Sequence, residues 1–400
     1  MEAYILDWAN LLLRWLHVIV AIAWIGSSFY FVWLDNSLLK PQDPELTAKG
    51  VSGELWAVHG GGFYNPQKYM TAPSRLPEHL HWFYWESYFT WMSGFALFVA
   101  LYLFNADTYL IDRNVFAWGP VAAVSAALVL LAVGWLVYDV ICTIAGTDEG
   151  SDLKIGIAVG LFVVLVAWMS CQLFSGRAAF LLTGAMIATI MSANVLMVII
   201  PGQRKVVAAM REGLPVDPIY GKLGKQRSVH NTYFTLPVLI TMLSNHYSML
   251  YSAKHNWLVL VAMMIAGALI RQFFVLRHKG VNNVWYPIGG VAIILCVAVA
   301  IAPASVTTPA VPAAAFTPAD STRVQEVVTQ RCVMCHNAAV ANKGVRLDTP
   351  ALLQSHAQAV YQQAVVQKTM PMANATGITD EERALLGQWF KAGAPLAAAK

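Results

Sequence analysis

Charged side chains are scarce in this 400-residue sequence. Asp, Glu, Lys and Arg together make up 12% of it and apolar residues 58%, against about 25% and roughly 45–50% in average soluble chains. A chain with so little charge cannot coat a water-facing surface, so long stretches of it must lie away from water. The formal net charge of +4 is too small to mark a nucleic-acid binder. No G-x-G-x-x-G and no P-loop signature occurs, which withdraws support from nicotinamide, flavin and nucleotide-driven chemistry. The "HGGG" at 59–62 has the form of a lipase oxyanion loop, but without a G-x-S-x-G elbow that chemistry is excluded too. A secretory leader is not expected either, because "MEAYILDWAN" is acidic where such leaders are basic and no A-x-A site follows.

What is present is apolar sequence in long runs. Stretches free of Asp, Glu, Lys and Arg lie at 15–34, 87–106, 114–138, 155–176, 178–203, 228–253, 255–270 and 280–319. Because about 20 mostly apolar residues cross a bilayer's hydrocarbon core, the pattern predicts an all-α, polytopic bundle of eight transmembrane helices. They fall near 9–34, 81–104, 117–139, 153–175, 178–200, 232–251, 256–276 and 283–303. The seventh run is the shortest, and its Arg271 must snorkel or face protein. The first, third, fifth and seventh loops hold thirteen Lys and Arg against three in the others. By the positive-inside rule the odd loops are cytoplasmic and both termini periplasmic. Beyond this multi-pass segment (1–303), "APASVTTPAVPAAAFTPAD" reads as a Pro/Ala-rich tether over 304–319. Residues 320–400 read as a small helical domain, with Val324, Val327 and Val328 on one apolar face and a capping box at Thr379 and Glu382 opening a last helix.

The five cysteines divide into two kinds. Cys142, Cys171 and Cys296 lie in or beside apolar stretches and read as small buried hydrophobes. Cys332 and Cys335, followed by His336 in "TQRCVMCHNAAVANKG", form the C-x-x-C-H pattern of covalent haem c attachment. Two thiols one helical turn apart take the thioether bonds, and the adjacent His supplies an axial ligand. Zinc would need two further ligands of matching spacing, and the segment after His336 offers only His356. The sixth iron ligand should be a soft Met or a second His. "KTMPMANATG" offers Met370, before a proline, with Met372 as its rival. The order of helix, haem motif, Met loop and closing helix is that of a small class I-type cytochrome c domain. Haem c is attached on the outer face of a bacterial cytoplasmic (inner) membrane, which agrees with the orientation from loop charge.

Ionisable residues inside the membrane are functional candidates by default. His17 in the first span and His246 at the end of the sixth share an outer-half depth and are candidate ligands of a second, b-type haem; hydrogen-bonded core histidines are the alternative. Toward the cytoplasm, "PEHLHWFYWESYFTW" places His79, His81 and Glu86 among Trp82, Phe83, Tyr84 and Trp85. "VHGGGFYNPQKY" adds His59 and Lys68, and "GKQRSVHNTY" adds Arg227, His230 and Asn231. Such a mix suits a planar, anionic, nitrogen-rich ligand, with aromatic faces to stack on, a guanidinium for charge and His or Glu to take protons. An aromatic interface belt beside basic loops is the competing explanation.

In "RWLHVIVAIAWIGSSFYFVWLDNSL", "GELWAVHGGGFYNPQKY", "LHWFYWESYFTWMSGFAL" and "GKQRSVHNTYFTLPVL" the chain resembles the membrane-bound, cytochrome c-containing urate oxidases (urate hydroxylases) of bacteria, over essentially its whole length. The resemblance implies oxidation of urate to 5-hydroxyisourate in purine breakdown. Electrons would pass to the fused cytochrome, then to a downstream cytochrome c or terminal oxidase. On that basis Arg227 would anchor the urate anion, His81, Glu86 or His230 would move protons, and Trp82 or Trp85 would stack on the purine. The first helix also looks like that of membrane protoporphyrinogen oxidases and copper-resistance proteins. The alternatives are therefore a haem- or copper-handling transport protein and a quinol-oxidising respiratory subunit.

Overall fold

A computed structural model describes residues 2–70, 72–73, 75–148, 150–302, 316–341, 344–366 and 368–395. Helices fall at all eight places where a span is expected, and a ninth continues the fifth beyond a π turn. They are α1 (Glu2–Ser37), α2 (Trp85–Phe98, extended by a π turn at Val99–Leu103), α3 (Pro120–Ala145), α4 (Ser151–Leu173), α5 (Gly176–Ala193), α6 (Ile200–Arg211), α7 (Ile219–Leu243), α8 (Asn256–His278) and α9 (Trp285–Ala300). Among the described residues, five segments are long and apolar enough to cross a membrane: Trp8–Ser37, Pro120–Ala145, Ser151–Leu173, Gly176–Arg211 and Asn256–His278. The helix surfaces suit lipid. Leu128, Val129, Leu136 and Val140 of α3 and Leu161, Leu165 and Trp168 of α4 all point outward, and only a non-aqueous surrounding makes such a surface favourable.

α5 runs through the centre, with α3, α4 and α7 packed around it. Buried Phe180, Leu182, Met186, Ile187 and Ile190 form its contribution to the core. Close approach depends on small residues, as in other membrane bundles. A Cβ on Gly184 would stand 1.7 Å from Thr241 Oγ1 of α7, and one on Gly134 of α3 would stand 2.3 Å from Met186 Cγ. α1 lies at the periphery against α2.

Four of the boundaries that differ from those expected have a clear physical reason. The second span begins at Trp85 rather than near 81, because Tyr84 has the non-helical φ of −144° and Glu86 then falls in the first turn, where the helix N-terminus favours a carboxylate. The fifth span does not end near 200. A π turn at Asn194–Ile199 joins α5 to α6, accommodating Pro201, whose missing N–H and bulky ring an unbroken α-helix would not tolerate. The sixth span begins at Ile219 rather than 232, because Gln226, Arg227 and Asn231 are buried and paired, which a search for charge-free runs does not detect. It ends at Leu243, so Asn245 and His246 lie in a 3-10 turn beyond the helix.

The fold is mostly helical, and the all-α expectation fails in the first loop. There two nested antiparallel hairpins form: β1 (Val51–Glu54) pairs with β4 (Gln67–Tyr69), and β2 (Ala57–His59) with β3 (Gly62–Tyr64). The "HGGG" stretch is the inner hairpin's turn. Gly60 and Gly61 both have positive φ, +57° and +81°, the condition a tight primed turn imposes. Lys68 of β4 pairs with Asp35 near the end of α1, which ties the hairpins to the bundle.

The C-terminal segment has a core of its own. α10 (Pro318–Arg331) contributes Val324, Val327 and Val328, and α11 (Asp380–Lys391) contributes Leu386 and Trp389. Both helices open with a complete capping box, at Thr317/Asp320 and at Thr379/Glu382. Of the expected tether, residues 304–315 lie outside the described residues.

Candidate functional site

The polar residues of α7 meet α3 and the π turn in a buried network. Arg227, 3% exposed, donates through Nη2 to Asp139 Oδ1 at 2.7 Å. Its Nη1 reaches Asn194 Oδ1 at 3.4 Å, and the guanidinium carbon lies 5.0 Å from the centre of the Tyr138 ring. Asn194 Nδ2 donates to the Tyr138 hydroxyl and to Asn231 Oδ1, both at 3.0 Å. The Tyr138 hydroxyl is 2.8 Å from His230 Nδ1. That hydroxyl accepts from Asn194 and shares one hydrogen bond with His230 Nδ1 in which either group can be the donor. The arrangement is a charge-balanced pair with a hydroxyl–imidazole proton path beside it.

Three members of this network, Tyr138, Asp139 and Asn194, were not among the residues chosen from sequence. Asp139 left a signal: it terminates the charge-free run 114–138, but α3 continues six residues past it, so the acid lies within a span. Asn194 left none, because only the π turn directs it toward Arg227.

The structure separates residues that sequence reasoning had grouped. His81 and Trp82 do not join Arg227. With Leu80, Gln203, Val206 and Tyr220 they line an open cleft of about 350 Å³ against α6. An adjoining cleft of about 380 Å³ shares Trp82 and adds Arg204, Arg211 and Glu212. Trp85 is exposed and tilts against Tyr84 and Phe89. Glu86 is half-buried in the first turn of α2, and His59 is exposed on β2. His17 packs on α2, with Nδ1 3.0 Å from Ser93 Oγ and 3.1 Å from the Thr90 carbonyl, and its ring fits there because position 94 is Gly. His246 is exposed in its turn.

In the C-terminal segment Cys332 is half-buried and Cys335 is exposed. Burial pushes the Cys332 thiol up to about 11. His336 Nδ1 is 3.1 Å from the Val345 carbonyl, so it donates there and presents Nε2 on the other side of the ring. Met370 is held through its backbone: its N–H donates to Gln363 at 3.0 Å, and its carbonyl accepts from Arg383 Nη1 at 2.8 Å. Met372 faces the membrane segment, where its Sδ lies 3.8 Å from Arg177 Nη1. Arg177 also donates to Asn245 Oδ1 at 3.0 Å, which accepts from the Tyr102 hydroxyl at 2.7 Å.

A family model described as urate oxidase, N-terminal, matches residues 3–302. The chain belongs to this urate oxidase family. The match spans α1 to α9 and stops before the C-terminal core, so the buried network and the aromatic clefts lie inside the family region and the C-x-x-C-H motif outside it. Membership points to a urate-related, oxidoreductase-like role. Neither a curated protein nor a solved structure matches the chain.

Proposed function

We propose that this chain is a membrane-bound urate oxidase of the cytochrome c-containing type. It would convert urate and water to 5-hydroxyisourate, releasing two electrons and two protons. The eight helices would all cross a bacterial inner membrane, with both termini and the C-terminal domain (320–400) periplasmic. The contact of Met372 with Arg177 carries this reading, because it seats the domain bearing the C-x-x-C-H motif directly on the family region.

The donor set of the C-terminal domain fits a c-type haem. Cys332 and Cys335 would form the thioether bonds and His336 would bind the iron. The Val345 carbonyl on Nδ1 orients that ring, as second-shell partners of metal-bound histidines do. With Met372 turned to Arg177, Met370 is the methionine left for the sixth position. Such a haem supplies one-electron acceptance, and a downstream cytochrome c or terminal oxidase would remove the electrons. A b-type haem between His17 and His246 rests on the sequence alone, since His17 packs on α2 and His246 is exposed in its turn.

The residues given roles from sequence fit the reaction unevenly. His81 and Trp82 share a cleft with Arg204 and Arg211 close by, a setting for a planar anion. His230 is placed to move a proton through Tyr138. Arg227 is already matched by Asp139, which argues against its anchoring a second anion. Adding urate to the oxidised, detergent-purified protein without oxygen, while recording the haem absorption, tests the proposal. Reduction by urate but not by xanthine or allantoin is the expected result. A haem that stays oxidised with urate yet is reduced by a quinol would replace this reading with that of a respiratory subunit.

A further inference from the structure

A second arginine is buried in the bundle, and it lacks the partner that Arg227 has. Arg271 of α8 is 3% exposed, and its guanidinium carbon lies 3.8 Å from the centre of the Phe29 ring of α1. Among the described residues, no acid pairs with it, and neither Nε nor Nη2 has a hydrogen-bond acceptor. Two turns on, near the end of α8, the buried His278 Nδ1 is also without a partner. Tyr233 of α7, whose hydroxyl donates to Gln272 next to Arg271, closes the polar patch.

A guanidinium buried without a counter-charge is among the costliest arrangements a protein can keep, and inside a membrane it marks a functional position. The two unpaired donors share one edge of the guanidinium. Nε–H and Nη2–H point in parallel, the fork that grips two adjacent acceptors at once. The Phe29 ring packs against the guanidinium beside that fork. An arginine packed this way is prepared for a planar anion with two neighbouring acceptor atoms on one edge. Urate as its monoanion has such an edge, a ring nitrogen carrying the charge beside a carbonyl oxygen.

We infer that Arg271, its guanidinium packed on the Phe29 ring and its Nε/Nη2 edge unpaired, is the anchor of the urate anion within the bundle, in place of Arg227. This rests on the urate reading above. The same fork would accept a carboxylate or an anionic lipid headgroup, so the test must separate these.

Equilibrium dialysis of radiolabelled urate against the full-length protein in detergent, for wild type, Arg271→Gln, Arg271→Lys and Arg227→Gln, reads the assignment. The expected result is a roughly 10- to 100-fold rise in the urate Kd for Arg271→Gln, the range of one charge-assisted bidentate contact. Arg271→Lys should fall between it and wild type. Unliganded thermal stability separates binding from structure, and guards against a variant that merely misfolds. Removing an unmatched charge should leave the Arg271→Gln midpoint unchanged or raised, whereas Arg227→Gln should lower it. Wild type that binds urate while Arg271→Gln binds it equally well overturns the anchor and leaves the urate reading standing. Wild type that binds no urate overturns both. Binding of radiolabelled propionate or of a short-chain phosphatidylglycerol to wild type that is lost in Arg271→Gln, with urate binding unchanged in that variant, would assign the fork to carboxylate or lipid instead and overturn the inference.

Discussion

Two buried arginines have opposite surroundings at the residue scale. Arg227 sits in a matched pair, so its replacement leaves Asp139 without a counter-charge. Arg227→Gln is expected to cost about 3 kcal/mol, the low end for breaking a buried pair, because Asp139 keeps 32% exposure; denaturant unfolding in detergent measures it. Packing is equally strict where helices touch. Gly184→Ala would put a methyl group 1.7 Å from Thr241 Oγ1, and overpacking of this kind costs about 1–3 kcal/mol. A thermal midpoint equal to wild type would show that α5 and α7 can separate without penalty. In the C-terminal domain the two methionines should behave differently. Met370→Ala is expected to abolish the absorption features of a Met-ligated c-type haem, and Met372→Ala to leave them intact.

Element by element, the termini are what the sequence encodes most locally. The capping box of α11 carries a pH dependence whose sign can be worked out. Burial alone would raise the Glu382 carboxyl, but the Arg331 guanidinium and the Thr379 backbone N–H outweigh it and hold the group below its usual range. A carboxyl depressed in the folded state adds stability above its unfolded value, about 4.3, and that contribution is lost as pH falls through the folded value. Hydrogen exchange of the α10 and α11 peptides in the full-length protein should therefore accelerate below about pH 4 relative to a Glu382→Gln control at the same pH. Equal protection in both proteins at every pH would remove the ion pair from the account. The π turn at Asn194–Ile199 is the membrane counterpart. It absorbs Pro201, and it also turns Asn194 into the Arg227 network, so a backbone irregularity and a buried hydrogen bond arise from the same residues.

Over the whole molecule, the proposed electron path depends on how the C-terminal domain meets the bundle. Arg177 links Met372 on one side to Asn245 and Tyr102 on the other, and it lies 5.4 Å from the centre of the Tyr109 ring. Arg177→Ala is expected to slow reduction of the haem by urate roughly 10- to 100-fold, the scale on which small misplacements act. The haem spectrum and urate Kd should stay as in wild type, and anaerobic stopped-flow mixing with urate measures the rate. A rate equal to wild type would mean that electrons enter the domain elsewhere.

Sequence alone located most of the elements and the C-x-x-C-H motif. Charge-free runs placed helices to within a few residues for most spans, because the cost of unpaired charge in hydrocarbon leaves few other solutions. The C-x-x-C-H motif and the Thr379 capping box were legible because their partners lie within a turn of each other. Tertiary structure alone decided which buried charges are matched. Asp139 reaches Arg227 from 88 residues away, Asn194 faces the pair only through a π turn, and the apolar stretch around Arg271 does not say whether another helix brings it an acid. Whether a guanidinium is neutralised depends on what other helices bring to within about 3 Å of it, and no spacing along one helix records that.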